Sequence, residues 1–409
     1  MNILVVHEVD WAAKVVMEVH EIPELLARRG HTVVFVDYEE SYRRANCLDV
    51  VRTATKVRSD AHRLYEDARV EVRTPGLVML PGLDRLSSIG MQYVEIERTI
   101  RRRRIDVVLL YSMPTSGLSA IVAARKHHVP VVFRAIDVLH KLRPQPIASG
   151  IWAAERLGMP HVDWVLALTP DLGDYAIRMG TPGNRISVLR PGMAPEFRPQ
   201  AKDPALLAAW GLAPDDRIAM FLGTMYDFSG LDYVISHFHH VVDDVPNAKL
   251  LLVGGANELE RFRALASVSP AADRIVFTGM QPIRLLPGFI NAADITFNSF
   301  RRSHLTDTVF PEKLPRYMAC GKPVLATPLT AARRLLEGEH NGVVFRDLGP
   351  DFMSEMATLL GDAGAIARLG SAARAFVKAN YDWDRTIDEV QAVMARLVAE
   401  SQRRKALSG

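Results

Sequence analysis

Short apolar runs that alternate with amphipathic stretches constrain the fold of this chain more than any other feature. The first run is Asn2–Val6, apolar positions at helical spacing follow over residues 12–29, Gly30 ends the helix, and another run begins at Thr32. Parallel strands joined by helices in this way are buried on both faces of their sheet. The sequence therefore predicts an α/β chain built on doubly wound parallel sheets.

The length of the chain predicts two domains. Its 409 residues exceed the usual domain size of about 100–200 residues. Residues 193–204 contain three prolines among polar residues, the composition of a linker between domains. We therefore expect an N-terminal domain over residues 1–197 and a C-terminal domain over residues 198–384.

The composition is that of an ordinary globular protein. Apolar residues make up 48% and charged residues 24% of the chain, and the formal net charge is +3. These values exclude disordered and fibrous classes and argue against a nucleic acid partner. The only cysteines, Cys47 and Cys320, exclude a cysteine-based metal cluster and suit a reducing compartment. We expect a cytoplasmic protein without a metal or other cofactor.

Membrane contact is expected to be peripheral if it occurs. The run MNILVV indicates a strand and not a signal peptide, and no apolar stretch approaches the roughly 18–20 residues that a spanning helix needs. Arg98 and residues 101–104 form one basic cluster. It either meets anionic lipid head groups at the inner face of the membrane or forms the solvated face of a helix.

The loop that follows the first predicted strand contains acidic, imidazole and aromatic groups. Ligands of such sheets collect at the carboxyl ends of the strands. Asp10 and Trp11 are therefore candidates for binding a ligand. The alternative is that Asp10 caps the following helix.

Asp137 is the candidate catalytic residue. It lies just beyond a predicted strand at residues 130–133, where a sheet enzyme places a general base. The alternatives are a helix cap or an ion pair with Arg134. His140 and Lys141 follow in a proline-rich loop that suits a segment facing an acceptor, although loops are commonly polar.

Two other stretches of the N-terminal half have predicted structures. Residues 41–73 read as a polar, helical and rather basic excursion, and residues 77–80 as a strand that ends at Pro81 and Gly82.

The stretch PEKLPRYMACGKPVLAT, residues 311–327, predicts a helix, a tight turn and a buried strand. A helix N-terminus offers unpaired N–H groups and positive dipole charge. Residues 310–313, which include Glu312 and Lys313, are therefore candidates for receiving a phosphate. The alternative is an ordinary αβ unit in which Lys313 and Arg316 are solvated.

The C-terminal half predicts a second doubly wound sheet. A turn over residues 223–230 follows its first strand, and Gly223 would let a phosphate or a sugar approach the backbone closely. The predicted strands are residues 217–222, 249–253, 274–279, 294–297 and 323–326.

The order of these segments resembles the GT-B glycosyltransferases, particularly the family-four type that uses nucleotide-sugar donors. The resemblance covers nearly the whole chain. It implies two Rossmann-like domains that face each other across a cleft, with a final helix over residues 385–409 that joins the N-terminal domain. The segments that carry it are residues 30–33, 185–192, 223–230, 252–255, 276–279, 292–294, 313, 317–324 and 380–383.

The resemblance also assigns donor-binding roles. Gly279 and Met280 match the turn whose backbone meets the base, Gly223 matches a glycine that phosphate approaches, and Lys313 matches a lysine that meets the diphosphate. Members that resemble this chain generally act without a bound metal.

The sequence also departs from the family pattern. Arg316 and Thr308 stand where the family usually has acids, and Thr224 and Ser229 stand where it has a basic pair. Charge is instead supplied by Arg301, Arg302 and Arg316. Arg302 and Arg316, together with Thr224 and Thr308, therefore join the candidate donor-binding residues.

The resemblance implies transfer of a sugar from a UDP- or GDP-sugar to a glycan, a lipid-linked acceptor or a small molecule. With this reaction, the candidate acceptor-binding residues are Asp10, Trp11, His140 and Lys141. The resemblance also implies retention of anomeric configuration, while the changed acids and Asp137 leave inversion open. A nucleotide-sugar-binding partner without activity and a GT-B epimerase are the alternatives. A dinucleotide oxidoreductase is disfavoured because no G-x-G-x-x-G pattern follows the first strand.

Overall fold

The computed structural model describes residues 1–14, 16–39, 51–52, 54–78, 83–256, 258–308, 310–336 and 341–408. Cys47 and the end of the strand expected at residues 77–80, with Pro81 and Gly82, lie outside these residues. The chain forms two compact units. The first comprises Met1–Pro191 with Asp384–Gly409, and the second comprises Gly192–Trp383.

The first unit is built on an eight-stranded sheet in the order β10-β9-β8-β7-β1-β2-β5-β4. All neighbours in it are parallel except β4, which runs antiparallel to β5. Two short strands, β3 and β6, form a separate antiparallel pair. The strands are β1 (Asn2–Val6), β2 (Thr32–Val36), β3 (Val51–Arg52), β4 (Lys56–Ala61), β5 (Val70–Thr74), β6 (Leu77–Val78), β7 (Val107–Leu110), β8 (Val131–Ala135), β9 (Trp164–Ala167) and β10 (Ile186–Val188).

Helices cover this sheet and connect its strands. They are α1 (Glu18–Arg28), α2 (Leu83–Arg103), α3 (Gly117–Lys126), α4 (Ile147–Gly158) and α5 (Pro170–Arg178). The central strands β1, β7 and β8 are buried along almost their whole length, as expected for a parallel sheet covered on both faces.

The helical excursion expected over residues 41–73 is wrong for the described part of that stretch. Lys56–Ala61 is an edge strand whose residues are almost all exposed, and Val70–Thr74 alternates buried and half-buried residues. This strand lies at the edge of the sheet and pairs only with β5. Because both of its faces are largely exposed, its sequence does not show the alternation of apolar and polar residues that would predict a strand.

The first helix begins later than expected, at Glu18 instead of residue 12. The Asp10 carboxylate accepts hydrogen bonds from the backbone N–H groups of Ala12 and Ala13. This local bond gives the backbone an alternative to the helix and makes a tight turn instead.

The second unit is built on a six-stranded parallel sheet in the order β13-β12-β11-β14-β15-β16. Its strands are β11 (Arg217–Thr224), β12 (Ala248–Gly255), β13 (Ile275–Gly279), β14 (Ile295–Asn298), β15 (Val324–Ala326) and β16 (Val343–Phe345). Its helices are α6 (Pro204–Ala209), α7 (Leu231–Asp244), α8 (Leu259–Ser267), α9 (Leu286–Ala292), α10 (Lys313–Ala319), α11 (Thr330–Leu335), α12 (Pro350–Gly361) and α13 (Ala363–Asn380).

The division between the units lies at Pro191 and Gly192, before the boundary expected near Arg198. Ala194 and Phe197 already belong to the hydrophobic core of the second unit. Gly192 lies so close to Trp383 that any side chain at position 192 would clash with the indole. The proline-rich linker is therefore packed onto the second unit.

The last helix, α14 (Trp383–Ser408), belongs to the first unit from Asp384 onward. The guanidinium of Arg29 donates to the Asp384 carboxylate at 2.8 Å and to Gln391 Oε1 at 2.7 Å, and it also pairs with Asp388. Among the described residues, the structure contains no helix that is long and apolar enough to cross a membrane.

Candidate functional site

Three of the candidate donor-binding residues, Gly223, Thr224 and Lys313, lie at the carboxyl edge of the second sheet. The chain runs outward from β11 through β12 to β13, and then returns to the other side of β11 to form β14, β15 and β16. The topological switch point therefore lies between β11 and β14. Ligands of open parallel sheets bind at this point, beyond the carboxyl ends of the strands.

Glycines hold the ends of β11 and β12 close together. Gly223 has a φ of +134° and Gly254 a φ of +130°, values that side chains rarely tolerate. A Cβ at position 254 would clash with the Gly223 carbonyl. Thr224, the last residue of β11, pairs with Gly255. The backbone at this strand end is consequently bare and open to close approach.

Lys313 reaches this bare strand end from the first residue of α10. Its Nζ lies 3.5 Å from the place that a Cβ of residue 223 would occupy. The same Nζ lies 3.7 Å from the ring centroid of Phe221 and 4.3 Å from that of Phe300. Part of the residue is exposed, but Nζ itself is shielded from water and has no hydrogen-bond partner among the described residues.

Burial of the Lys313 amine is unfavourable for its charged form. An ammonium over an aromatic ring gains about 0.5–2 kcal/mol, whereas removal of an unpaired ammonium from water costs several kcal/mol. Desolvation therefore outweighs the two ring contacts, and it holds the pKa of Lys313 well below the usual value of 10.5. An anion placed beside Gly223 would supply the missing partner.

Two side chains at this edge were not singled out from the sequence as site residues. The Tyr317 hydroxyl accepts a 2.7 Å hydrogen bond from the backbone N–H of Leu222 and so fixes α10 against the end of β11. Asn298, the last residue of β14, is completely buried, and neither end of its carboxamide has a partner within the described part of the chain. A polar residue at a strand end was the only available signal for Asn298.

The arginines after β14 are held by acids. Arg301 pairs with Asp232 at 2.6 Å and donates to the Asp227 carbonyl at 3.1 Å, which ties it to the turn after β11. Arg302 is exposed and pairs with Asp307 at 3.1 Å. Positive charge is therefore present near the turn that lacks the family's basic pair, but carboxylates partly neutralise it.

Arg316 lies on α10, one turn after Lys313. Its guanidinium is 3.9 Å from the Glu312 carboxylate and lies 5.7 Å from the ring centroid of Phe197. Thr308 ends a short 3-10 turn, Thr306–Thr308, that precedes α10. These contacts give Arg316 an acidic neighbour and an aromatic neighbour within the second unit.

The strand end at β13 is open. Gly279 has a φ of +69°, and no atom lies within 4 Å of the position of a Cβ there. The next residue, Met280, is 57% exposed although it is a large apolar side chain. This exposed, bare turn leaves room for a flat ligand such as a nucleotide base.

In the first unit, the loop after β1 is held tightly in place. The Glu8 carboxylate accepts hydrogen bonds from the N–H groups of Thr115 and Ser116 at the start of α3. The Asp10 carboxylate is occupied by the turn described above, and because α1 begins only at Glu18, Asp10 does not cap that helix as the alternative interpretation expected. Trp11 is 2% exposed and packs on the rings of His20 and Phe35. Neither Asp10 nor Trp11 is presented to solvent.

Buried polar side chains at the carboxyl ends of β2 and β7 were also missed. Asp37 is completely buried, accepts from the Trp11 N–H and pairs with Arg58 at 3.1 Å. Its burial raises the pKa of Asp37 to about 7. Among the described residues, Trp11 Nε1, one Asp37 oxygen, Gln92 Oε1 and the Tyr111 hydroxyl have no hydrogen-bond partner. Long-range packing buries these groups, and this burial has no local signal in the sequence.

Asp137 lies half-buried just beyond the end of β8. His140 follows in a 3-10 turn, Leu139–Leu142, and its Nδ1 lies 2.9 Å from a Glu155 oxygen that also accepts a 2.6 Å hydrogen bond from Tyr175. Lys141 is exposed. The structure thus brings Asp137, His140 and Lys141 onto one segment, well apart in the chain from Asp10 and Trp11.

Arg134 of β8 forms a fully buried bidentate ion pair with Glu18 of α1. The Nε–Oε1 distance is 2.7 Å, and the Nη2–Oε2 distance is 2.9 Å. Its remaining nitrogen donates to the carbonyls of Leu166 and Leu189. This arginine therefore joins the carboxyl ends of β8, β9 and β10 to the first helix.

The described residues contain no group of three or more His, Cys, Asp or Glu side chains with the geometry to hold a metal ion. Cys320 is buried, and its pKa is raised to about 12 because its thiolate would be desolvated.

Two family profiles match the chain and together cover both units. Residues 15–192 match the profile described as a glycosyl transferase 4-like domain, and residues 216–362 match that of the glycosyl transferases group 1. The chain is a GT-B glycosyltransferase of the family-four-like type. The predicted fold class, family and transferase activity are confirmed, and use of a nucleotide sugar follows at the level of the family.

Two relatives of this glycosyltransferase are distant in sequence. An uncharacterised glycosyltransferase of Methanocaldococcus jannaschii is 25% identical over 181 residues, which cover 44% of this chain and 45% of that protein. A D-inositol 3-phosphate glycosyltransferase of Streptomyces bingchenggensis is 26% identical over 314 residues, covering 72% and 67%. The chain thus spans less than half the length of the archaeal relative.

The fold of the glycosyltransferase is also that of solved structures. The Anabaena protein HepE, solved in complex with UDP, superposes with a TM-score of 0.72 at 16% identity and covers 97% of this chain and 100% of its own. At this identity the likeness establishes the fold alone.

The predicted donor residues of the glycosyltransferase fall into three groups, apart from Thr308, which ends the 3-10 turn before α10. Gly223, Thr224 and Lys313 come together at the switch point, while Gly279 and Met280 form the open end of β13 in the same sheet. Arg302, Glu312 and Arg316 are tied to neighbouring side chains or rings. Their roles toward a donor remain predictions.

Proposed function

We propose that this glycosyltransferase moves a sugar from a UDP- or GDP-sugar to an acceptor bound by the first unit, with the donor diphosphate at Gly223 and Lys313. One observation carries the proposal. The Lys313 amine lies at the switch point beside the bare backbone of Gly223, shielded from water and without a partner among the described residues.

The chemistry of transfer explains why a diphosphate suits this position. The bond between the sugar carbon and the diphosphate oxygen breaks, and the leaving diphosphate gains negative charge. A cation fixed beside that oxygen stabilises the growing charge without reorganisation. Gly223 permits the phosphate to approach, because a side chain there would occupy the space beside Nζ.

The choice of donor and acceptor rests on likeness. The UDP complex of HepE supports a uridine nucleotide as the first donor to test. The names of the inositol 3-phosphate glycosyltransferases support a small hydroxylated acceptor ahead of a glycan or a lipid-linked sugar. Retention of configuration, action without a metal, and a role for Asp137 as a base in an inverting reaction are further parts of the proposal that assays must decide.

Arg316 favours a second candidate function. It stands at a position where the family usually has an acid, and its guanidinium lies beside Glu312 and the Phe197 ring. A protein that binds a nucleotide sugar without turning it over would tolerate this change.

Calorimetric titration with UDP and GDP, combined with mass spectrometry of donor hydrolysis and transfer, tests both candidates. We expect micromolar binding of one nucleotide and loss of that binding in Lys313→Ala, while Lys249→Ala, a surface control, binds normally. Asp137→Asn should keep binding but lose turnover if Asp137 acts as the base. Unchanged affinity in Lys313→Ala would refute the proposed diphosphate site. Binding without turnover over a broad acceptor panel would favour the second candidate.

A further inference from the structure

The surroundings of the Lys313 amine are unusual for a residue that binds an anion. The lysine ammonium is a compact, strongly hydrated point charge, and its pKa shifts readily when it is buried. Here Nζ faces the rings of Phe221 and Phe300, and the described residues provide it with neither a hydrogen-bond acceptor nor a carboxylate.

The charged groups on the elements around Lys313 do not compensate for this environment. On α10 the next cation is Arg316, beside Glu312. On the segment after β14, Arg301 pairs with Asp232 and Arg302 with Asp307. On the turn after β11, Asp227 pairs with Arg261. The titratable Tyr317 is turned toward the backbone of Leu222.

We infer that Lys313 is a neutral amine before the donor binds and takes up one proton from solvent as the diphosphate arrives beside Gly223. This inference rests on the proposed function, because it needs the diphosphate to bind there. The amine gains the proton and becomes an ammonium, and the diphosphate becomes its counter-charge. No other bond is made or broken in the step.

Two physical effects oppose each other at this site. If the proton is taken up only when the diphosphate binds, the unfavourable one is avoided. An unpaired ammonium shielded from water is costly, whereas an ammonium paired with a diphosphate forms a strong charge-assisted contact. Uptake of the proton together with the anion avoids the first state and reaches the second. The lowered pKa of Lys313 agrees with this order of events.

The thermodynamic linkage between protonation of Lys313 and nucleotide binding gives the sign and the size of the pH effect on affinity. Binding raises the pKa of the amine, so proton uptake occurs between the pKa of the free site and that of the complex. Below this window the affinity is constant. Within the window the dissociation constant rises about tenfold for each unit of pH.

Calorimetry in buffers of different ionisation enthalpy measures the protons taken up. UDP and GDP are titrated into the full-length enzyme at one pH in each of several buffers, and the slope of the observed enthalpy against buffer enthalpy gives the proton number. Lys313→Arg is the matched control, since arginine stays charged. We expect wild type to take up close to one proton more than Lys313→Arg. Subtracting the two proton numbers cancels any protons that the nucleotide itself takes up.

A second measurement does not depend on the variant. The dissociation constant of wild type is followed from pH 8 upward, where a phosphate with a second pKa of about 6 is already fully ionised. The inference expects an approach to a tenfold rise per pH unit within this range. Binding with equal proton uptake in both proteins, or a wild-type affinity independent of pH, overturns the inference alone. Absence of any binding of UDP or GDP to wild type overturns the proposed function as well.

Discussion

Lys313 and Lys322 flank the same short helix, yet only the amine of Lys322 is hydrogen bonded among the described residues. Lys322 Nζ donates to the carbonyls of Asn291 at 3.0 Å and Ala293 at 2.8 Å. Lys313 Nζ has no such partner and faces two aromatic rings. The fold satisfies the lysine that joins two elements and leaves unsatisfied the lysine that lies at the switch point.

Lys313→Met should therefore stabilise the protein. Methionine keeps the apolar contacts with Phe221 and Phe300 and removes a buried unsatisfied amine, which typically costs about 1–3 kcal/mol. We expect the free energy of unfolding in urea to rise by about 1 kcal/mol or more, while binding of UDP and GDP is lost. Lys322→Met is the matched control and should lower the free energy of unfolding, because two carbonyls lose their donor. A Lys313→Met variant that is as destabilised as this control would contradict the assignment.

Gly223→Ala should weaken nucleotide binding. The φ of +134° is unfavourable for alanine, and the new Cβ would lie 3.5 Å from Lys313 Nζ, in the space proposed for a phosphate. We expect the dissociation constant for UDP to rise at least tenfold. Gly211→Ala, at a φ of +65° with no atom within 4 Å of its Cβ, is a control outside the site that carries the milder strain of the left-handed region. Equal loss of affinity in both variants would show that strain, and not the site, is responsible.

Part of the candidate site was accessible from the sequence. Gly223 and Lys313 were identified from motifs, because a strand, a glycine turn and a helix each have a recognisable local sequence pattern. The environment of Lys313 was not accessible, since Phe221 and Phe300 come from two different strand ends that only the sheet order brings together. The same reason explains why Asn298 and Asp37 were missed, as burial of a polar side chain has no local signature.

The sheets follow a similar division. Most strands of the second unit, such as Ala248–Gly255, contain an apolar run and were predicted within a few residues, whereas the short strand Val343–Phe345 was not predicted. The edge strand Lys56–Ala61 consists mostly of polar residues because it is exposed, so neither its type nor its pairing is visible in the sequence. The start of α1 was also mispredicted, because the Asp10 turn competes with the helical pattern that runs through it.

The buried ion pair of Arg134 and Glu18 should contribute strongly to the free energy of unfolding, and this contribution should depend on both residues. Arg134→Met leaves the Glu18 carboxylate buried and unpaired from this guanidinium, and removal of one partner of a buried ion pair costs about 3–5 kcal/mol. The double variant Arg134→Met with Glu18→Gln should recover part of that loss in urea unfolding. The exposed pair of Arg28 and Asp67 is the control, and Arg28→Ala should cost less than about 1 kcal/mol. Additive losses in the double variant would contradict a direct coupling.

His7 should make the stability of the protein fall in acid. Its Nδ1 accepts a 2.9 Å hydrogen bond from the Glu8 N–H, and its ring is buried against Tyr111, so the neutral form is favoured. Desolvation, with smaller effects of Lys14 and His20, lowers the pKa of His7 to about 3. The folded pKa lies below the unfolded value of 6.5, so the unfolded chain binds an extra proton between these values. The stabilisation is complete above about pH 6.5 and falls by about 1.4 kcal/mol per pH unit toward pH 3.

The variant His7→Asn tests this prediction. It preserves an acceptor for the Glu8 N–H, and it should lower the slope of the unfolding free energy against pH by the equivalent of one proton between pH 4 and 6. Because Asp37 and His20 titrate in both proteins, the difference between wild type and variant isolates His7, and equal slopes would show that His7 is protonated in the folded state.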